Sequence, residues 1–202
     1  YSRVAKQFLG VHNNAYDMQE YLYTLTNSGV AWTLLFNDLP KEIDATKRTE
    51  IVNILQMHRE NPITLNRFMA FFAGKQLLPL MNTKYRDHFI ATLRTWLEFL
   101  ETRYPNLKSN QLQRIFLDFV KWSNYHFPNW LEQQEFDNSP PRVLWYGPAK
   151  ESEVLYMYFL YLFGCDIVIF EPDVTDILAP YGITDFPAEV LSEKAELFDF
   201  PF

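Results

Sequence analysis

Apolar positions recur at helical spacing through most of the first 137 residues. Met18, Tyr21, Leu22 and Leu25 stand at i, i+3, i+4 and i+7, which puts them on one helix face, and Gly29 ends the pattern. Ile51, Ile54, Leu55 and His58 repeat the spacing until Pro62. Thr64 is placed to cap a helix carrying Leu65, Phe68, Met69 and Phe72. A long helix follows through Phe89, Ile90, Leu93, Trp96, Leu97 and Leu100, closed by Pro105. Ser109 is placed to cap the next, with Leu112, Ile115, Phe116, Phe119 and Val120 on one face. The pattern predicts its end near Tyr125, ahead of Pro128. One segment departs from this period. Val30 to Phe36 (VAWTLLF) is short, rich in strand formers and bounded by Gly29 and Asn37-Asp38-Leu39-Pro40, so it reads as a strand.

The period changes after a polar linker at residues 131–141 (LEQQEFDNSPP). Val143-Leu144-Trp145-Tyr146 is a short apolar run ending at Gly147. Glu151 to Phe163 reads as a helix apolar on most sides, ended by Gly164. Ile167-Val168-Ile169-Phe170 is a second buried run, stopped by Pro172. Strand, helix and strand over about 30 residues make a βαβ unit. The expected fold class is α/β and α-rich. A mainly helical domain spans 1–137, with a strand at 30–36, and a partial Rossmann-like βαβ segment spans 138–202. One βαβ unit is only a fragment of a sheet. Either the VAWTLLF segment joins it, or other parts of a longer chain supply strands.

Charge sharpens this boundary. The chain has 202 residues and a net charge of −7. Residues 1–138 hold 15 basic and 14 acidic residues, and residues 139–202 hold 3 and 11. An acidic C-terminal segment argues against a nucleic-acid grip, which needs Lys and Arg. Six glycines, no two within three residues of each other, exclude the Gly-rich phosphate loops. A single cysteine, Cys165, excludes an intrachain disulfide and fits a reducing, cytoplasmic compartment. His12, His58, His88 and His126 lack the spacing of a helical zinc motif. The apolar stretch Val154 to Phe170 is interrupted by Gly164 and Asp166, so no membrane span is expected. The chain opens at Tyr1 without Met or a signal peptide and ends on Phe198-Asp199-Phe200-Pro201-Phe202. Both ends suggest a portion of a longer polypeptide whose apolar tail continues or docks.

The best place for chemistry is the mouth of the βαβ unit, because open α/β sheets bind ligands beyond the carboxyl ends of their strands. Tyr146, Gly147, Lys150 and Ser152 follow the first strand there, and Glu171 and Asp173 follow the second. Gly147 would let backbone approach a ligand, and the following helix start offers N–H groups to an anion. The plainer alternative is a tight turn, a capped helix and two solvated strand-end acids. Glu171, Asp173 and Asp176 have the chemistry to hold Mg²⁺ with ligand phosphates, but Asp before a short helix more often caps it. His58, on an apolar face, reads as a hydrogen-bonded core residue. The cluster Trp122, Tyr125, His126, Phe127 and Trp130 reads as core, with base stacking as the alternative. Arg94, Arg103, Lys108, Arg114 and Lys121 alternate with Glu98, Glu101 and Asp118, which reads as a mixed solvated face.

The run Pro141-Arg142-Val143-Leu144-Trp145-Tyr146-Gly147, then Glu153, Gly164-Cys165-Asp166-Ile167-Val168-Ile169 and Pro172-Asp173, resembles the YceG-like bacterial family. The stretch Tyr1-Ser2-Arg3 to Gly10, Tyr21-Leu22, and Leu35-Phe36-Asn37-Asp38-Leu39-Pro40 are compatible with it. The resemblance covers most of this chain and part of a longer family member. It implies a place in bacterial tellurite-resistance and stress gene clusters, as a component of their biosynthetic module. It implies no agreed catalytic set and no cofactor. The function expected is binding of a small, nucleotide-like ligand or a partner through the Rossmann-like unit. A transferase acting on a nucleotide-activated substrate is one alternative. A structural module that packs on its own chain or on a second copy is the other.

Overall fold

The computed structural model describes residues 4–133 and 138–202. Tyr1-Ser2-Arg3 and the linker residues 134–137 lie outside the described residues. The chain divides into two compact units interleaved along the sequence. Unit 1 comprises Tyr1–Leu39, Asp137–Lys150 and Gly164–Phe202, and unit 2 comprises Pro40–Phe136 and Glu151–Phe163. The sequence reading divides the chain once, at residue 138. The cut falls differently because the first 39 residues contribute to the sheet, as described below.

Unit 1 holds a five-stranded, all-parallel sheet among the described residues. Its strands are β1 (Ala5–Leu9), β2 (Thr33–Leu34), β3 (Arg142–Tyr146), β4 (Asp166–Glu171) and β5 (Ala188–Val190), in spatial order β2-β3-β4-β1-β5. Every residue of β4 is buried, so its backbone groups must be paired within the protein. β3 and β1 supply partners on its two sides, with Val143 opposite Ile167 and Lys6 opposite Val168. The expected pair of parallel strands is therefore present, and the VAWTLLF segment does join it. Only Thr33–Leu34 of that segment is strand, however, and Leu35–Asn37 turns as a 3-10 helix. β1 is absent from the sequence reading. Its Lys6 and Gln7 interrupt any apolar run, and pairing to β4 decides its conformation.

Helix α1 (Ala15–Thr26) packs within unit 1. Asn14 caps it, its side chain accepting from the Asp17 N–H at 2.9 Å. Met18 and Leu22 are buried in one cluster with Leu144, Tyr146, Val168 and Phe170 of the sheet. Burying each such side chain is worth about 1.5–3 kcal/mol. The spacing of Met18 and Leu22 thus identifies the core face, while Tyr21 stays half exposed.

Unit 2 comprises α2 (Ala45–Glu60), α3 (Leu65–Gly74), α4 (Thr83–Arg103), α5 (Gln111–Gln133) and α6 (Glu151–Phe163). Thr64 caps α3 as predicted, accepting from the Arg67 N–H at 3.3 Å. The core is aromatic: Trp96 stacks on Phe119 at 4.6 Å between ring centroids and donates its indole N–H to the Leu155 carbonyl at 2.9 Å. Helix α5 runs through Pro128 rather than stopping near Tyr125. The reason is packing. Phe127 meets Phe89, Phe159 and Phe163, and that burial outweighs the one hydrogen bond Pro128 removes. His58 is a core residue: its Nδ1 accepts from the Ile63 N–H at 3.1 Å, so Nε2 carries the proton donated to the Asn106 carbonyl at 2.7 Å. His126 is buried as well, stacked on Trp130 at 4.7 Å and bonded to the Tyr156 hydroxyl at 2.9 Å.

Gly10 is where unit 1 tolerates least change. Its φ is +101°, and a Cβ there would lie 2.5 Å from the Glu193 carbonyl oxygen. Gly10→Ala is expected to destabilise the protein by more than about 2 kcal/mol, through strain and displacement of the 191–195 segment. Urea denaturation followed by circular dichroism checks this. An unchanged midpoint would show that the contact yields freely.

Candidate functional site

The carboxyl ends of the strands are where the sequence places the site. β1 is followed by Gly10, whose N–H donates to the Glu171 carbonyl at 2.8 Å. β3 is followed by Gly147, whose N–H donates to the Phe170 carbonyl at 3.0 Å. These bonds tie the ends of β1, β4 and β3 together. Tyr146, Gly147, Glu171 and Asp173 are thereby brought to one edge of unit 1.

The chain's own residues 191–202 run along that edge as a strap. Leu191 N–H donates to the Leu9 carbonyl at 2.8 Å, and Val11 and Glu193 exchange backbone hydrogen bonds at 2.8 and 3.0 Å. Ala195 N–H donates to the Pro172 carbonyl at 2.9 Å. A Cβ on Gly147 would lie 3.1 Å from a Leu197 methyl. The Tyr146 hydroxyl donates to the Phe198 carbonyl at 2.7 Å and accepts from the Phe198 N–H at 3.2 Å. Phe200 packs on Phe36 at 4.9 Å and on Tyr146 at 5.4 Å. The apolar tail thus docks on its own unit. Gly147 offers its approach to Leu197, where the sequence reading has it facing a ligand.

Electrostatics follow from this cover. Glu171 is 1% exposed, and its Oε1 lacks a hydrogen-bond partner within the described residues. Burial, with Asp173 and then Asp176 nearby, pushes its carboxyl up to about 8 from the usual 4.5. Glu171 is therefore largely neutral at pH 7, unlike the solvated strand-end acid of the sequence reading. Tyr146 is pushed up to about 12, mainly by burial, against the lowering effect of its backbone bond to Phe198. Asp173 and Asp176 cap turns: Asp173 accepts from the Thr175 N–H at 3.0 Å, and Asp176 from Leu178 and Ala179 N–H at 2.9 and 3.0 Å. Ser152 belongs to unit 2, where its hydroxyl donates to the buried Asp118 at 2.6 Å, and Lys121 pairs with the same carboxylate at 2.9 Å. Lys150 closes the second segment of unit 1 and is exposed.

An open volume of about 320 Å³ lies beside this edge in unit 1. Phe8, Met18, Tyr21, Phe170 and Leu191 form its walls, and His12 and Asp17 contribute polar groups. Phe8 and Phe170 sit opposite each other in register on adjacent strands, so their rings stack at 5.0 Å with planes 10° apart. Tyr21 meets Phe170 edge-on at 6.2 Å and is 51% exposed. The sequence reading missed His12 and Asp17. A glycine at 10 followed by a helix-capping Asn at 14 is the strand–turn–helix signal that points to them.

The chain belongs to the YceG domain family, which matches it over residues 1–201. It is similar to the uncharacterized protein YceG of Bacillus subtilis (strain 168), with 32% identity over 211 residues. That match covers 100% of this chain and 38% of the relative. No solved structure is significantly similar to it. Among the described residues no helix is long and apolar enough to cross a membrane.

The buried Glu171 carries a pH signature. Its folded value is raised, so the native state holds the proton more tightly than the unfolded chain. Its stabilising contribution is complete below about 4.5 and is lost as pH rises toward about 8. The denaturation midpoint is expected to fall over that window, and Glu171→Gln is expected to flatten the fall. Equal slopes in both proteins would remove Glu171 as the cause. Tyr146→Phe is expected to cost about 1 kcal/mol by removing both bonds to Phe198, read by the same titration.

Proposed function

We propose that the sheet unit binds a small, ring-bearing, nucleotide-like ligand, with the ring in the aromatic-walled cavity beside β1 and β4. That cavity is the observation on which the proposal rests. Its volume, about 320 Å³, is at the lower end for ligand pockets and suits one ring system rather than a dinucleotide. Its position supports the proposal, since all-parallel sheets bind ligands beyond their carboxyl ends. On this reading the sheet is a Rossmann-like element that uses the β1 turn at Gly10. The setting is a cytoplasmic bacterial stress or tellurite-resistance system and its biosynthetic module, a context supported by the family resemblance. The single cysteine of the sequence, Cys165, is buried, which fits a reducing compartment.

The transferase alternative draws less support. It needs Gly147, Lys150 and Ser152 to hold a phosphate, whereas Gly147 lies under Leu197 and Ser152 is bonded to Asp118. One observation favours the structural-module alternative: the strap already packs aromatic residues on its own unit.

A thermal-shift panel of nucleosides and nucleotides tests the binding function. Stability is expected to rise with a bound ligand. Tyr21→Ala is expected to lose most of that rise while leaving the unliganded melting temperature nearly unchanged, because Tyr21 is half exposed. A rise unchanged in Tyr21→Ala would move the site elsewhere. No rise with any ring compound would favour the structural module.

A further inference from the structure

We infer that, within the nucleotide-like class, the cavity beside β1 and β4 selects the phosphate-free form, an amino-bearing, uncharged or cationic heteroaromatic ring, and discriminates against phosphate. This rests on the proposed ring-binding role of that cavity and names the ligand class it takes.

The charge around the cavity carries the inference. Among the described residues no Lys or Arg side chain lines it; the polar lining residues are His12 and Asp17. One cation stands beside a wall residue: Lys6 lies over the Phe8 ring at 4.9 Å. Lys6 is bridged to Glu189 at 2.5 Å, and Glu189 stands opposite Phe8 in register on β5. Its charge is therefore already matched. Asp17 forms no salt bridge among the described residues. Its Oδ2 accepts from the Asn13 side-chain amide at 3.1 Å, and this residue lines the same cavity as the aromatic walls, so its carboxylate is the acceptor the cavity offers. An amino group on a ring stacked there would donate to it. Charge-assisted bonds of this kind are the stronger ones.

A phosphate finds the reverse. Asn14 already caps the start of α1, and Asp17 places a carboxylate in its first turn. The surrounding unit compounds this. Unit 1 holds 5 basic and 13 acidic residues, whereas unit 2 holds 13 and 12. The acidity that the sequence assigns to the C-terminal segment is therefore a property of the sheet unit. Such a field repels a dianion and attracts a cation. Phe8, Phe170 and Tyr21 add ring faces that favour a protonated heterocycle.

Isothermal titration of the purified chain at fixed ionic strength tests this with matched probes: adenosine, AMP and purine riboside, which lacks the amino group. Adenosine is expected to bind about tenfold more tightly than purine riboside, from the one charged hydrogen bond to Asp17. AMP is expected to bind at least about tenfold more weakly than adenosine. Asp17→Asn keeps an acceptor oxygen and removes the charge, so it is expected to narrow the adenosine–AMP gap. AMP binding as well as adenosine, or a gap unchanged in Asp17→Asn, would overturn the inference while leaving ring binding intact. No heat with any of the three probes would overturn ring binding along with it.

Discussion

β4 is buried along its whole length, and every backbone N–H and C=O on it needs a partner inside the protein. That requirement organises unit 1. β3 satisfies one side of the strand and β1 the other, so a segment near the start of the chain is held against one that lies more than 150 residues later. The Asp166 carboxylate extends the pairing by accepting from the Val4 N–H at 2.7 Å. Once β1 is in place, β5 adds to its free side and leads directly into the 191–202 strap.

The same constraint sets the chemistry of the carboxyl edge. Glu171 is the last residue of β4, so a carboxyl is carried into a buried position by the strand that precedes it. A charged group there would lack both water and a counter-ion, and it holds its proton instead. The strap bonds to Pro172, next to this buried position, while Tyr21 of the neighbouring cavity stays half exposed. One edge therefore has two characters. Its β3 end is filled by the chain's own aromatic residues, and its β1 end presents aromatic walls with an acid.

Much of the helical unit was legible from periodicity. The Thr64 cap and the Glu151–Phe163 helix fall where spacing places them, and His58 is the hydrogen-bonded core residue its apolar face suggests. The strand–helix–strand order around Gly147 and Gly164 was legible for the same reason: β3 and β4 are continuous apolar runs, as buried parallel strands are. The candidate site was legible in part. Tyr146, Gly147, Glu171 and Asp173 do share one edge, but Ser152 is bonded to Asp118 in the other unit.

Local pattern by itself determined the main helical segments, the Thr64 cap, and that two buried strands flank residues 151–163. These depend on interactions within a few residues, which spacing and side-chain type record. Only the tertiary structure decided that Ala5–Leu9 and Ala188–Val190 are strands, that α5 continues through Pro128, and that Phe198 covers Tyr146. Each of these is stabilised by groups distant in sequence, so no local signal records it. The charge pattern shows the same division. The fold gathers thirteen acids and five bases into one unit, whereas chain order sets apart the eleven acids and three bases of residues 139–202. Long-range pairing of β1 with β4 brings Asp17 and Glu20 into that acidic unit.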